Sequence, residues 1–216
     1  MTGGSPMAPN EIDRFDYGQR VLHWVVALSF VLLLLTGLGF SYPSLYWINA
    51  LLGGAATARA LHPWAGLVFS AGMFWMFVTW VADMRIGPDD RAWLAAVRHY
   101  LRHEHDRVPS SGRYNAGQKL FFWLAAASAL LLLVTGLPLW YPQGLLGSGR
   151  FAAGTLTFMR LLHYLGALAS GLLLIPHFYL ATVAVPGTLA AMLRGRVSRA
   201  WARHHHQRWF EEHAGR

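Results

Sequence analysis

The chain has 216 residues, 55% of them hydrophobic and only 13% charged, where an ordinary soluble domain carries about 25% charged residues. It has no cysteine, which excludes disulfides, thiolate zinc sites, Cys-ligated iron–sulfur clusters and covalently attached c-type haem on this chain. The net charge of +8 sits beside long apolar runs rather than in a basic domain, so the expected surroundings are membrane lipid and no nucleic acid.

Residues 1–19 are polar and read as a cytoplasmic N-terminal segment; no cleavable signal peptide is expected, because no apolar core precedes a small-residue cleavage site. Four segments then have the roughly 20 apolar residues a bilayer crossing needs: Arg20 to Phe40, His62 to Ala82, Gly117 to Trp140 and Arg160 to Val185. Helix is the expected conformation, since backbone groups in lipid must pair within their own segment. Residues 20–186 are therefore one transmembrane domain, and 187–216 a basic cytoplasmic tail. All of the 18 lysines and arginines except Arg59, Arg150 and Arg160 fall on one side of these spans. That bias predicts both termini in the cytoplasm.

The sequence repeats itself. Gly18-Gln19-Arg20 matches Gly117-Gln118-Lys119, Trp24 matches Trp123, Thr36-Gly37-Leu38 matches Thr135-Gly136-Leu137, and Tyr42-Pro43 matches Tyr141-Pro142, all at an offset of 99. Arg59, Leu61 and His62 match Arg160, Leu162 and His163 at an offset of 101. The expected fold is an all-α, four-helix transmembrane bundle made from a duplicated helical hairpin, its halves related by an axis along the membrane normal.

Of 11 histidines, His23, His62, His163 and His177 lie in or at the edges of the spans. Ionisable residues at membrane depth are costly and mark function. His62 begins the second span, with Pro63 suited to a first helical turn. His163 and His177 share the fourth span, 14 residues apart. That spacing is a rise of about 21 Å, and the two rings fall within roughly 40° of one face. Depth pairs His62 with His163 on the outer side and His23 with His177 on the cytoplasmic side. With no carboxylate or further histidine beside either pair, two b-type haems held by bis-imidazole ligation suit the sites better than bare metal ions.

Neighbouring residues extend the reading. Gly37, Gly39, Gly66, Gly72, Gly136, Gly166 and Gly171 clear space for a flat macrocycle or for close helix packing. Arg20, Arg59 and Arg160 stand three residues before three of the histidines, within reach of haem propionates or of lipid headgroups. Across the repeat His23 corresponds to Phe122 and His177 to Met76, the latter expected as core packing. Asn115 and Gln118 open the third span in a helix-capping pattern. Asn115 also shares the depth of His177, where a quinone would need hydrogen-bond donors. Pro176 should kink the fourth helix there. In the loop, His99, His103 and His105 with Glu104 read as a solvated basic segment, with a metal site the less favoured reading. The run His204 to His206 reads as tail near anionic lipid or a partner subunit.

The stretch Gly112-Arg113-Tyr114-Asn115-Ala116-Gly117-Gln118-Lys119-Leu120-Phe121-Phe122-Trp123 resembles the hallmark of the gamma subunit of membrane-bound formate dehydrogenase, a di-haem cytochrome b. Arg20-Val21-Leu22-His23-Trp24, Leu61 to Gly66 and Leu162-His163-Tyr164 extend the likeness from about Arg14 to Val185. The resemblance implies electron transfer from an iron–sulfur beta subunit, through outer and inner haems, to menaquinone or ubiquinone beside Asn115, Gln118 and His177. Formate oxidation would belong to a molybdenum- or tungsten-containing alpha subunit, and the setting to the bacterial inner membrane. Three alternatives stay open. A cytochrome b of a nickel–iron hydrogenase or sulfur-compound reductase would differ in its partner. A di-haem superoxide:quinone oxidoreductase would work alone, and a transporter would be colourless.

Overall fold

The computed structural model describes residues 10–102, 104, 107–144 and 149–213. Four helices are long and apolar enough to cross a membrane: α1 (Tyr17–Ser41), α3 (Ala55–Trp80), α6 (Ala116–Trp140) and α7 (Ala153–Tyr179), the last continued by a π-helical turn at Leu180–Ala184. Two of them begin earlier than the apolar runs suggest. Helix α3 starts seven residues before His62, because Ala55, Ala56, Ala58 and Ala60 are strong helix formers. Pro63 is therefore an interior proline, not a first-turn one. Helix α7 likewise starts seven residues before Arg160.

The starts of α1 and α6 use one device. The Gln19 N–H donates to Asp16 Oδ1 at 2.8 Å and the Asp16 N–H to Gln19 Oε1 at 3.2 Å. Asn115 and Gln118 make the same reciprocal pair at 2.9 Å each way. Each box satisfies two N–H groups that a helix start leaves orphaned. The expected duplication thus extends to the helix caps.

The chain divides into two compact units. The helical unit comprises Val21–Val78 and Leu124–Pro176. Three of its hydroxyls are satisfied locally: Thr36, Thr135 and Ser170 each donate to the carbonyl four residues back. Asn49, 1% exposed, sits on α2 (Ile48–Leu51) and donates to the carbonyls of Gly39 and Tyr46. Val26, Phe69 and Ala129 form the core with Phe30, Leu33, Met73 and Met76, so Met76 is a packing residue as expected. Large apolar side chains such as Leu28, Phe74, Trp75 and Ile175 point outward, the arrangement lipid favours. Several glycines serve contact rather than a cofactor. A Cβ on Gly72 would stand 2.6 Å from Val26, one on Gly39 3.0 Å from Asn49, and one on Gly166 3.1 Å from Leu131.

The terminal unit draws on Met1–Arg20, Thr79–Trp123 and His177–Arg216. It holds β1 (Glu11–Asp13) paired antiparallel with β2 (Arg196–Ser198), Ile12 opposite Val197. It also holds α4 (Pro88–Ala95), α5 (Val97–Leu101), α8 (Thr188–Arg194), α9 (Arg199–His205) and α10 (Gln207–His213). The short strand pair is an addition to the all-α expectation. Lys119 ties the start of α6 to this unit, donating to Asp90 at 2.8 Å and to the Arg85 carbonyl at 3.0 Å.

The tail adds a feature the sequence reading did not contain. Trp201, Ala202, Trp209 and Phe210 pack against Ile12, Val185, Ala191 and Val197, so the tail and the N-terminal segment share a small core. Gly195 makes the turn that joins tail to N-terminal segment. At φ +82° its carbonyl accepts from the N–H groups of Arg14 and Phe15, and a Cβ would stand 2.6 Å from the Phe15 carbonyl oxygen.

Arg14 is 4% exposed and has no carboxylate partner among the described residues. It donates to the Arg113 carbonyl at 2.6 Å and to His206 Nε2 at 3.3 Å. The Phe15, Tyr114, Trp201 and Trp209 rings surround its guanidinium, with centroids 4.7 to 5.7 Å away. Ring faces offer partial negative charge to a desolvated cation. Burial nevertheless pulls the Arg14 pKa down to about 10 and pushes that of Tyr114 up to about 12.

His206, 1% exposed, donates Nδ1–H to the Gly112 carbonyl at 2.8 Å and accepts from Arg14 at Nε2. Burial, then the charge of Arg14, holds its pKa well below the usual 6.5. The folded chain therefore binds that proton more weakly than the unfolded chain. The stabilisation is complete above pH 6.5 and drains away as pH falls below it, at no more than about 1.4 kcal/mol per pH unit for one group. Unfolding of the terminal unit, followed by tryptophan fluorescence, should move to lower temperature between about pH 7 and pH 5. His206→Gln, which keeps a donor and an acceptor without a titrating ring, should flatten that dependence.

Candidate functional site

In the helical unit, α3 and α7 turn His62 and His163 toward each other. Their ring centroids lie 6.3 Å apart, with planes at 64°. A metal bound by one nitrogen of each ring at the ordinary ~2.0–2.1 Å would set the centroids about 6 Å apart. The spacing therefore suits two axial ligands of one iron. Both rings are half-buried.

Each ring is held from a neighbouring helix. Thr36 on α1 lies 2.6 Å from His62 Nδ1, and Thr135 on α6 lies 2.9 Å from His163 Nδ1. The glycine after each threonine faces the same ring. A Cβ would stand 3.9 Å from His62 Cε1 at Gly37 and 3.2 Å from His163 Cε1 at Gly136. Of the seven glycines singled out in the sequence, these two border the histidine pair. The threonines were visible as members of the Thr-Gly-Leu repeat, but only the structure ties that repeat to the histidines. Phe40 completes the surroundings of His62, with centroids 5.5 Å apart.

His23 belongs to the helical unit and His177 to the terminal unit. His23 meets the Trp24 ring edge-on, with centroids 5.4 Å apart. His177 stacks on Phe121 with centroids 4.6 Å apart and planes 13° from parallel. Pro176 lies inside α7 without breaking it, and the π-helical turn follows three residues after His177. Turns of that kind recur at functional sites.

The three arginines separate into two kinds. Arg20 donates to the Leu193 carbonyl at 2.7 Å and so helps hold the tail. Arg59 and Arg160 are exposed and make no hydrogen bond or ion pair among the described residues. His99 Nδ1 meets Glu104 at 2.6 Å, while His103 and His105 lie outside the described residues. Among the described residues no three of His, Cys, Asp and Glu gather as a metal site.

Asn115 is 8% exposed. Its carbonyl oxygen is committed to the Gln118 N–H, and its amide NH2 makes no hydrogen bond among the described residues. The capping role is thus real, and a donor is left over. Asn115→Ala should cost about 1 kcal/mol through the lost cap, whereas Asn115→Asp keeps the accepting oxygen and should cost less. Thermal unfolding of the two variants checks this.

The profile of the prokaryotic cytochrome b561 family matches residues 14–195. The chain is 37% identical over 201 residues to the cytochrome b556(fdo) subunit of formate dehydrogenase from Escherichia coli (strain K12), covering 93% of this chain and 92% of that one. It is 34% identical over 205 residues to the nitrate-inducible cytochrome b556(Fdn) subunit of the same organism, covering 93% and 91%. It is 33% identical over 196 residues to the formate dehydrogenase cytochrome b556 subunit of Haemophilus influenzae, covering 89% and 79%.

Proposed function

The chain belongs to the prokaryotic cytochrome b561 family, and from that premise we propose that it is the quinone-reducing membrane subunit of a formate dehydrogenase complex. It is a multi-pass haem b protein that transfers electrons in the membrane. The observation that carries the finer reading is the facing pair His62 and His163, in a chain similar over most of its length to formate dehydrogenase cytochromes.

Haem would supply one-electron chemistry at its iron. His62 and His163 would hold the outer group, and His23 and His177 would be the ligands of a second one toward the cytoplasm. Arg59 and Arg160 stand one helical turn before their histidines, free to pair with propionates. On the cytoplasmic side the Asn115 NH2 offers a hydrogen bond to a quinone carbonyl, with His177 and Gln118 beside it. Phe121, stacked on His177, helps fix that ring's plane. The quinone is menaquinone or ubiquinone.

An iron–sulfur beta subunit delivers the electrons and a molybdenum- or tungsten-containing alpha subunit oxidises formate, on the periplasmic side of a bacterial inner membrane. The absence of cysteine agrees, since the clusters must sit on another chain. Both termini face the cytoplasm, where the basic residues gather.

Purification from native membranes should bring two larger subunits along, and dithionite should reduce two b-type haems per chain. A protein that purifies alone with superoxide:quinone activity would overturn the assignment. His163→Ala should lose the outer haem and keep the cytoplasmic one, read from the reduced spectrum and the pyridine haemochrome ratio. Loss of the cytoplasmic haem alone would refute the pairing.

A further inference from the structure

We propose that Thr36 and Thr135 are positioning residues that set the tautomer of the outer histidine pair, so that each ring offers Nε2 to iron. This rests on reading His62 and His163 as ligands of one haem.

A threonine hydroxyl has one hydrogen to give. Thr36 Oγ1 lies 2.8 Å from the Leu32 carbonyl, and Thr135 Oγ1 lies 2.7 Å from the Leu131 carbonyl. A carbonyl can only accept, so at these distances the hydroxyl hydrogen is committed to the backbone. What Oγ1 has left for the imidazole is a lone pair. His62 Nδ1 at 2.6 Å and His163 Nδ1 at 2.9 Å must therefore carry the proton and donate. A neutral imidazole carries one proton, so Nε2 is left bare, and a bare nitrogen is what ligates a metal.

Water does not compete for this arrangement. Thr36 is 0% exposed and Thr135 is 1% exposed. The adjacent glycines lie against Cε1, the carbon between the two ring nitrogens: a Cβ at Gly136 would crowd His163 at 3.2 Å, and one at Gly37 would stand in ordinary contact with His62 at 3.9 Å. The same Thr-Gly pair meets the same ring atoms in both halves of the chain. The hydroxyl thereby orients the ligand and makes it more basic. Greater ligand basicity favours the oxidised iron and lowers the haem potential.

The test uses the complex purified from its own membranes, in five forms: wild type, Thr135→Val, Thr135→Ser, Thr36→Val and Thr36→Ser. Valine keeps the shape and removes the hydroxyl, whereas serine keeps the hydroxyl. Redox titration should show the outer haem rising in potential in the valine variants. About a tenfold change in the oxidised-to-reduced ratio is expected, or ~59 mV for a one-electron couple. The serine variants should titrate as wild type.

Complete loss of the outer haem in a valine variant, with retention in the serine one, also supports the assignment. Unchanged titration in both valine variants overturns it. So does equal damage from valine and serine, or a shift confined to the cytoplasmic haem. His163→Ala run alongside separates the two failures. Retention of both haems in that variant sinks the ligand reading itself, whereas loss of one with silent valine variants sinks only the threonine role.

Discussion

Hydrocarbon offers no hydrogen bonds, so each polar atom at membrane depth must find its partner within the protein. The helical unit is organised around that requirement. Thr36 and Thr135 answer it twice over, each hydroxyl bonded both to a carbonyl of its own helix and to an imidazole on a neighbouring one. The Asn49 NH2 answers it for two carbonyls, at the end of α1 and in the connection after it. The remaining surface can then be aliphatic and aromatic, and the large side chains can face lipid.

The terminal unit solves a harder problem with different means. It buries a guanidinium without a counter-charge and replaces the missing carboxylate with two acceptors and four ring faces. His206 can serve as one of those acceptors only while neutral, which couples the tail to proton concentration. The same side chain holds the Gly112 carbonyl, three residues before Asn115. The stretch leading into α6 is thus held from the tail at Gly112, from α4 through Asp90 and Lys119, and by its own capping box.

Much of this was legible in the chain itself. Four long apolar runs specify four helices because lipid leaves the backbone no other choice, and the shared offset of 99 announces two related hairpins. The facing of His62 and His163 followed from depth alone. Other features depended on contacts between distant residues. No periodicity in 187–216 says that Trp201, Trp209 and Phe210 will meet Ile12, since the basic residues around them mask a short buried stripe. The early start of α3 lay in a polar, alanine-rich stretch, outside the hydropathy signal used to mark spans. The threonines stood in plain view within a repeat, but Thr36 and His62 are 26 positions apart on different helices.

Asp16 and Asn115 occupy corresponding places and perform the same service for the helix that follows. Either residue supplies the oxygen that service needs, but only the amide also carries hydrogens. Between such matched halves, an exchange of carboxylate for amide keeps the capping oxygen, removes a negative charge and adds a donor. Natural selection could thus give twin hairpins unequal chemistry by a single codon change, without first paying in lost stability.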